Sequence, residues 1–157
     1  MNFIWFLFLC CLSFIAVSPL TLPSVKRVLS RRSMSMMAEV HEKLLFVEAG
    51  FGCDQHGQNS TKAAIRACRN AIEFNSLCAI RELIPGGYEN MKLKVQVAVP
   101  NHKEVDVNAI KDVFPYGEVI PVIEEGGLCA NSGIQLDAMG DKNTDMLIAV
   151  AAIYVGY

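Results

Sequence analysis

The chain has 157 residues, is 52% apolar and 19% charged, and carries a formal net charge of -2. That balance excludes a disordered chain and leaves room for an ordinary folded core. The charge is uneven, and this argues against a nucleic-acid partner: residues 1–40 set Lys26, Arg27, Arg31 and Arg32 against Glu39, whereas residues 41–157 set 10 Lys/Arg against 15 Asp/Glu, an excess that would repel a phosphate backbone.

The front end reads NFIWFLFLCCLSFIAV over residues 2–17. This length suits a signal peptide and is short for a membrane span, which needs about 20 apolar residues. Ala16-Val17-Ser18 would serve as a cleavage site. However, no basic residue follows Met1, and the positive charges come after the apolar run, which tends to hold that side in the cytoplasm. The Ser/Arg-rich, acid-free stretch 18–37 suits an organelle transit peptide, and Met34, Met36 or Met37 would serve as an alternative start. Residues 1–40 are therefore read as a targeting or accessory extension, cleaved or disordered, and 41–157 as one globular domain. Cytosol, plastid or mitochondrion is favoured as the compartment, with the secretory pathway as the alternative. Contact with a membrane is expected only through an uncleaved front end.

In the domain, the run Leu44, Leu45, Phe46, Val47 predicts a strand over 43–49 covered on both sides, broken by Gly50 and Gly52. A helix over 59–74 follows, capped by Asn59 or Ser60. Its stripe of Ala64, Ala67, Cys68, Ala71 and Ile72 is made mostly of small residues, so it can approach a sheet closely. Pro85-Gly86-Gly87 is a turn. Over 91–99, Met91, Leu93, Val95, Val97 and Val99 alternate with Lys92, Lys94, Gln96 and Ala98, a strand with one face on the core and the other largely in water. A short helix capped by Asp106 places Val107, Ile110 and Phe114 inward, with Val105 and Ile110 as a staple. Residues 118–124 form a strand whose Pro121 marks an edge or a bulge. Residues 133–137 read as a short strand. Residues 146–155 read as a strand apolar on both faces, hence central or covered by another subunit.

The order is β-α-β-α-β-β-β. It predicts an α+β domain built on a single mixed β-sheet with two helices packed on one face, the other face covered by oligomerisation. Cys53, Cys68, Cys78 and Cys129 match no zinc spacing and are read as free thiols, with two disulfides as the alternative.

Three segments are dense in reactive groups. The loop 48–58 holds Glu48, Asp54, His56 and Gln58 beside a helix N-terminus, a natural anion seat. Asp54 and His56 could form an acid/base pair; as scaffold, the same groups would bond the loop backbone. The segment GGLCANSG supplies Gly126, Gly127, Asn131, Ser132 and Gly133, either a nest of N–H groups with Ser132 as nucleophile, or a hairpin turn. Asp141 and Lys142 sit in the turn GDKN, where Lys142 could hold an anion or act as a base. No metal and no cofactor is assigned.

Taken together, FVEAGFGCDQHGQNSTKAAIRACRNAIEFNS, MKLKVQVAVP, FPYGEV, GGLCANSG, GDKN and the final VGY resemble a Lin-type family of small conserved hypothetical proteins, catalogued from Listeria and present in bacteria and plants. The resemblance covers nearly all of 43–157. It implies a compact domain with preferred residues at Glu48, Asp54, His56, Gly57, Gln58, Ser132, Gly133, Asp141 and Lys142, and no established activity. A looser architectural likeness to trimeric Rid-type folds and to the repeats of ring-opening amidohydrolases implies small-molecule sites between subunits, with serine and lysine in the latter. Two functions follow as expectations. One is an oligomeric small-molecule enzyme or binder, hydrolase-like if an enzyme, using His56 and Asp54 with Ser132, Lys142 and the glycine backbone. The other is a structural or partner-binding module in which the polar loop only stabilises the fold.

Overall fold

A computed structural model describes residues 40–157, so the front end lies outside the described residues. Among the described residues no helix is long and apolar enough to cross a membrane. The elements run β1 (Leu44–Asp54), α1 (Ser60–Ile72), α2 (Ile80–Leu83), β2 (Lys92–Val99), α3 (Val107–Lys111), β3 (Glu118–Glu125), β4 (Leu128–Asn131) and β5 (Asp145–Gly156). They form one open, mixed, five-stranded sheet in the order β1-β5-β2-β3, with β4 paired to β5. The α+β fold is as the element order predicts.

The last strand is central. One edge of β5 pairs antiparallel with β1 from Leu147 to Gly156. Its other edge pairs with β2 over its second half and with β4 over Asp145–Ile148, so β4 continues the lane of β2. Strand β3 runs parallel to β2 at the sheet edge, where the missing N–H of Pro121 is tolerated.

Contrary to the sequence reading, β1 does not stop at its glycines but continues through Gly50 and Gly52 to Asp54. The reason lies in α1, which crosses directly over them. A Cβ at Gly50 would collide with the backbone of Ala67 and Ala71, and one at Gly52 with that of Ala63 and Ala67. The small-residue stripe of the helix (Ala63, Ala64, Ala67, Cys68, Ala71, all buried) meets a stripe on the strand that has no side chains at all. Backbone therefore packs on backbone, and the glycines are there for close approach and not for a turn.

The core lies between this face and the helices. Leu93, Val95, Val97 and Val99 of β2 and Leu147, Ala149, Ala151, Ile153 and Val155 of β5 all point into it. Helix α3 adds Ile110, fully buried, capped by Asp106, whose Oδ1 accepts from the amides of Asn108 and Ala109. Val107 does not face inward as its spacing suggests; it is 41% exposed. Val105 and Phe114 pack at either end of this short helix instead.

Two further readings need correcting. Residues 133–137 form no strand; the strand of this region is β4, which starts five residues earlier, because β4 can reach the free edge of β5 left beyond the end of β2. The outward face of β2 is also drier than alternation suggests. Lys94 is 3% exposed and lies with its ammonium 5.4 Å from the centroid of the Tyr154 ring, a cation–π contact on the sheet face away from the helices. On that face Val47, Phe51, Val150 and Leu128 remain 49%, 66%, 49% and 55% exposed.

Candidate functional site

The extension of β1 carries Asp54 to the start of α1, and the chain then turns through Gly57 and Gln58, both with positive φ, into the helix. Asn59 caps α1, its Oδ1 accepting from the amide of Lys62 at 2.9 Å. Asp54, 1% exposed, accepts from the Asn59 amide at 2.9 Å through one oxygen and from the Arg66 guanidinium at 2.9 Å through the other. The helix start is thus filled by the protein's own Asn and Asp groups. The anion seat expected there is already taken.

Asp54 is consequently not the partner of His56. That partner is Asp141, 85 residues away, whose Oδ2 lies 2.9 Å from His56 Nδ1. The same carboxylate accepts from the Gly57 amide at 2.7 Å and the Leu136 amide at 2.8 Å. Its side chain is 1% exposed, yet three donors surround it, and they outweigh the cost of burial. The hydrogen bond from His56, then the Leu136 and Gly57 amides, hold its carboxyl down at about 2. Asp141 is therefore an obligate acceptor at neutral pH, and His56 must donate from Nδ1. In the neutral imidazole this leaves the lone pair on Nε2.

Gln58 completes the junction. Its Nε2 donates to the Asp145 carbonyl at 2.8 Å and its Oε1 accepts from the Lys142 amide at 2.8 Å. This two-way clasp holds a residue whose φ of 47° is unusual for a side-chain-bearing residue. In front lies an open groove of about 530 Å³ lined by Cys53, Asp54, Gln55, His56, Lys62, Arg66 and Met139. His56 is partly exposed there, at 22% of its side chain. No group of three or more His, Cys, Asp or Glu side chains is placed to hold a metal ion among the described residues.

The remaining candidates do not converge on this groove. The Ser132 hydroxyl donates into the Ile134 and Thr144 carbonyls at 2.9 and 2.8 Å, and none of its hydrogen bonds involves a His or Lys base. Asn131 caps the same bend, its Oδ1 accepting from the Gly133 amide at 2.7 Å. Gly126 and Gly127 lie before β4, at the other end of that strand from Ser132; a side chain on Gly127 would strike the Ile148 carbonyl and Pro100. They make a tight crossing under β2, not a nest around Ser132. The Lys142 side chain is exposed, and the residue takes part in the junction through its backbone amide. Glu48 lies mid-way along β1, about 20 Å from Asp54 at ~3.3 Å per residue.

Sequence reasoning missed Arg66, Lys62 and Met139 as wall residues. For the first two a signal existed: Lys62 and Arg66 are four apart on the exposed face of α1, the side that overhangs the preceding loop. All four cysteines of the described residues are free, and burial pushes the Cys68 thiol up to about 12.

The model of a family of conserved hypothetical proteins designated Lin0512 matches residues 44–155, the whole span from β1 to β5. The chain belongs to the Lin0512 family. A solved structure similar to it, an FtsZ-like protein of unknown function from Nostoc punctiforme, is 40% identical; the match covers 74% of this chain and 96% of that one, with a TM-score of 0.66. Among curated proteins nothing matches the chain significantly. The His56–Asp141 pair and the groove in front of it therefore lie wholly inside the part of the chain that defines its Lin0512 membership.

Proposed function

We propose that the chain is a small-molecule enzyme or binder that handles an anionic ligand in the groove before His56. The observation that carries this reading is the His56–Asp141 pair. A buried carboxylate, ionised at neutral pH, fixes one imidazole nitrogen and leaves the other as a base facing a groove that also holds Lys62 and Arg66. The cations would seat the anion and Nε2 would move a proton to or from it. The test is thermal unfolding of the full chain against a panel of dicarboxylates and phosphate monoesters. A stabilising ligand is expected, its effect abolished in His56→Ala and weakened in Lys62→Ala. A response that persists unchanged in His56→Ala sinks the assignment.

A second reading is favoured by a specific observation: both carboxylates and Gln58 already satisfy their hydrogen bonds within the protein. On this reading the junction is a lock and His56 a bolt. His56→Ala would then cost about 1–3 kcal/mol of stability and leave any ligand response intact.

Self-association is a further part of this proposal and is compatible with either reading. The sheet face away from the helices exposes Val47 and Phe51 of β1 beside Val150 of β5, with Leu128 of β4 near by and Lys94 and Glu124 on the neighbouring strands. Four strands ~4.8 Å apart and ~8 residues long make roughly 500 Å² before side-chain relief, the order of one partner's share of a standard interface. A second copy turned about a two-fold axis would cover it. Light scattering should give an oligomer that Phe51→Asp converts to a folded monomer; a wild-type monomer at micromolar concentration refutes this.

A further inference from the structure

A second concavity lies at the other end of α1, outside the groove already described. It is a cavity of about 490 Å³ between the C-terminal turn of α1, the connection 73–78, the turn at Tyr88 and the segment Phe114–Tyr116, floored by β2 and β5. That volume suits a drug-sized ligand. Leu77, Phe114 and Ile153 give it an apolar patch, beside the polar groups of Glu48, Asn75 and Ser76. One wall is aromatic: the rings of Tyr88 and Tyr116 lie 4.6 Å apart between centroids, and the Arg81 guanidinium already lies 5.1 Å from the Tyr88 centroid. Glu48 is its inner charged group, at the foot of β1; Arg69 and Glu73 stand exposed on the rim, where solvent screens them.

Among the described residues Glu48 has no ion-pair partner, although two other acidic side chains near α1 and β1, Asp54 and Asp141, are both paired. Its setting leaves the carboxylate uncompensated. It lies beside the C-terminal end of α1, the negative end of the helix, where an anion is disfavoured and a cation welcome. Burial pushes its carboxyl up, and the Asn75 side chain opposes this with a hydrogen bond. A cavity with an apolar patch and a half-buried carboxylate, without an ion-pair partner among the described residues, at a helix C-terminus has the complement of an organic cation.

We propose that this cavity binds a small organic amine, its apolar part against Leu77, Phe114 and Ile153 and its protonated nitrogen against Glu48. This site is separate from the His56 groove and does not depend on how that groove works. The fit is one of charge as much as shape: an amine neutralises Glu48 and completes the helix end, whereas a carboxylate of the same body would face Glu48 at close quarters.

The experiment is a titration of the full chain, followed by amide NMR, with phenethylamine and tryptamine, and with 2-phenylethanol and 3-phenylpropionate as neutral and anionic counterparts. The amines are expected to bind saturably, with shifts concentrated at residues 72–78 and 88–93. Glu48→Gln, which keeps shape and removes charge, is expected to weaken them at least about tenfold, as loss of a charge-assisted contact should. Tyr88→Ala should weaken them independently. His56→Ala should leave them unchanged, so that failure here and failure of the His56 reading are told apart. Absence of binding by both amines, equal binding of 3-phenylpropionate, undiminished binding by a Glu48→Gln variant with an unaltered amide spectrum, or shifts concentrated at residues 55–57 would each overturn the proposal.

Discussion

Glu48 and Asp54 stand on the same face of the same strand and meet opposite ends of the same helix. The strand between them spans about 20 Å, and the 13 residues of α1 span about the same. At the Asp54 end the helix presents free N–H groups, and everything is paired: Asn59 amide, Arg66, Lys62 amide. At the Glu48 end it presents carbonyls, the carboxylate has no cation, and a cavity opens. The same acid function is thus structural at one end and available at the other. Helix polarity makes the difference, because an anion is stabilised where amides converge and destabilised where carbonyls do.

The comparison depends on α1 lying flat on β1, so the largest effect should come from lifting it. Gly52→Val would drive its side chain into the backbone of Ala63 and Ala67. A loss of about 3 kcal/mol or more is expected, read as a fall in the urea midpoint or outright failure to fold. An unchanged midpoint would mean the helix can slide, and the two ends would no longer be set by one register.

Breaking the paired end comes next. Asp54→Asn keeps the size but weakens the acceptor for the Asn59 amide and removes the charge opposite Arg66. Because the Arg66 side chain is 52% exposed and can turn to water, the expected cost is about 1–3 kcal/mol by chemical denaturation.

The neighbouring carboxylate offers a pH test. Asp141 is held near 2, below its ordinary 3.8. A depressed acid stabilises the fold above its unfolded value, and that contribution is lost as pH falls through the folded one. Wild type should therefore lose stability between about pH 4 and pH 2, and Asp141→Asn should flatten that part of the curve while lying below wild type at pH 7. Parallel curves for the two proteins would contradict the network.

The smallest effect belongs to the unpaired end and has the opposite sign. Glu48 is raised, so its ionised form opposes folding, and the opposition grows as pH rises through its titration. Glu48→Gln should leave stability unchanged or raise it by up to ~1 kcal/mol at pH 7. A clear loss would show that Glu48 is structural, and the contrast between the two ends would collapse.

How much of this was legible depends on the range of the interaction. The alternation of β2, the two-sided apolarity of β5, the Asp106 and Asn59 caps and the edge position of Pro121 are local matters of side-chain period and missing donors, and they read directly. The candidate loop was legible as a place, because Asp54, His56 and Gln58 crowd a bend. Its wiring was not. Asp54 and His56 look like a pair because they are two residues apart, yet their partners are Arg66 and Asp141. Gly50 and Gly52 read as a break because glycine breaks strands in isolation; only the stripe of alanines on α1 turns them into a contact surface. Glu48 seemed part of the same loop until the strand carried it about 20 Å away, to the other end of α1.

The sequence by itself determined the type of most elements, the small-residue helix stripe, the two-sided apolarity of β5 and the acidic composition of the domain, since each follows from composition or short-range period. Tertiary structure alone decided which carboxylate meets which donor, that residues 128–131 and not 133–137 form β4, and that a cavity forms at the foot of β1. Those outcomes turn on where α1 lies along β1 and which edge of β5 stays free, and neither is a property of any single segment.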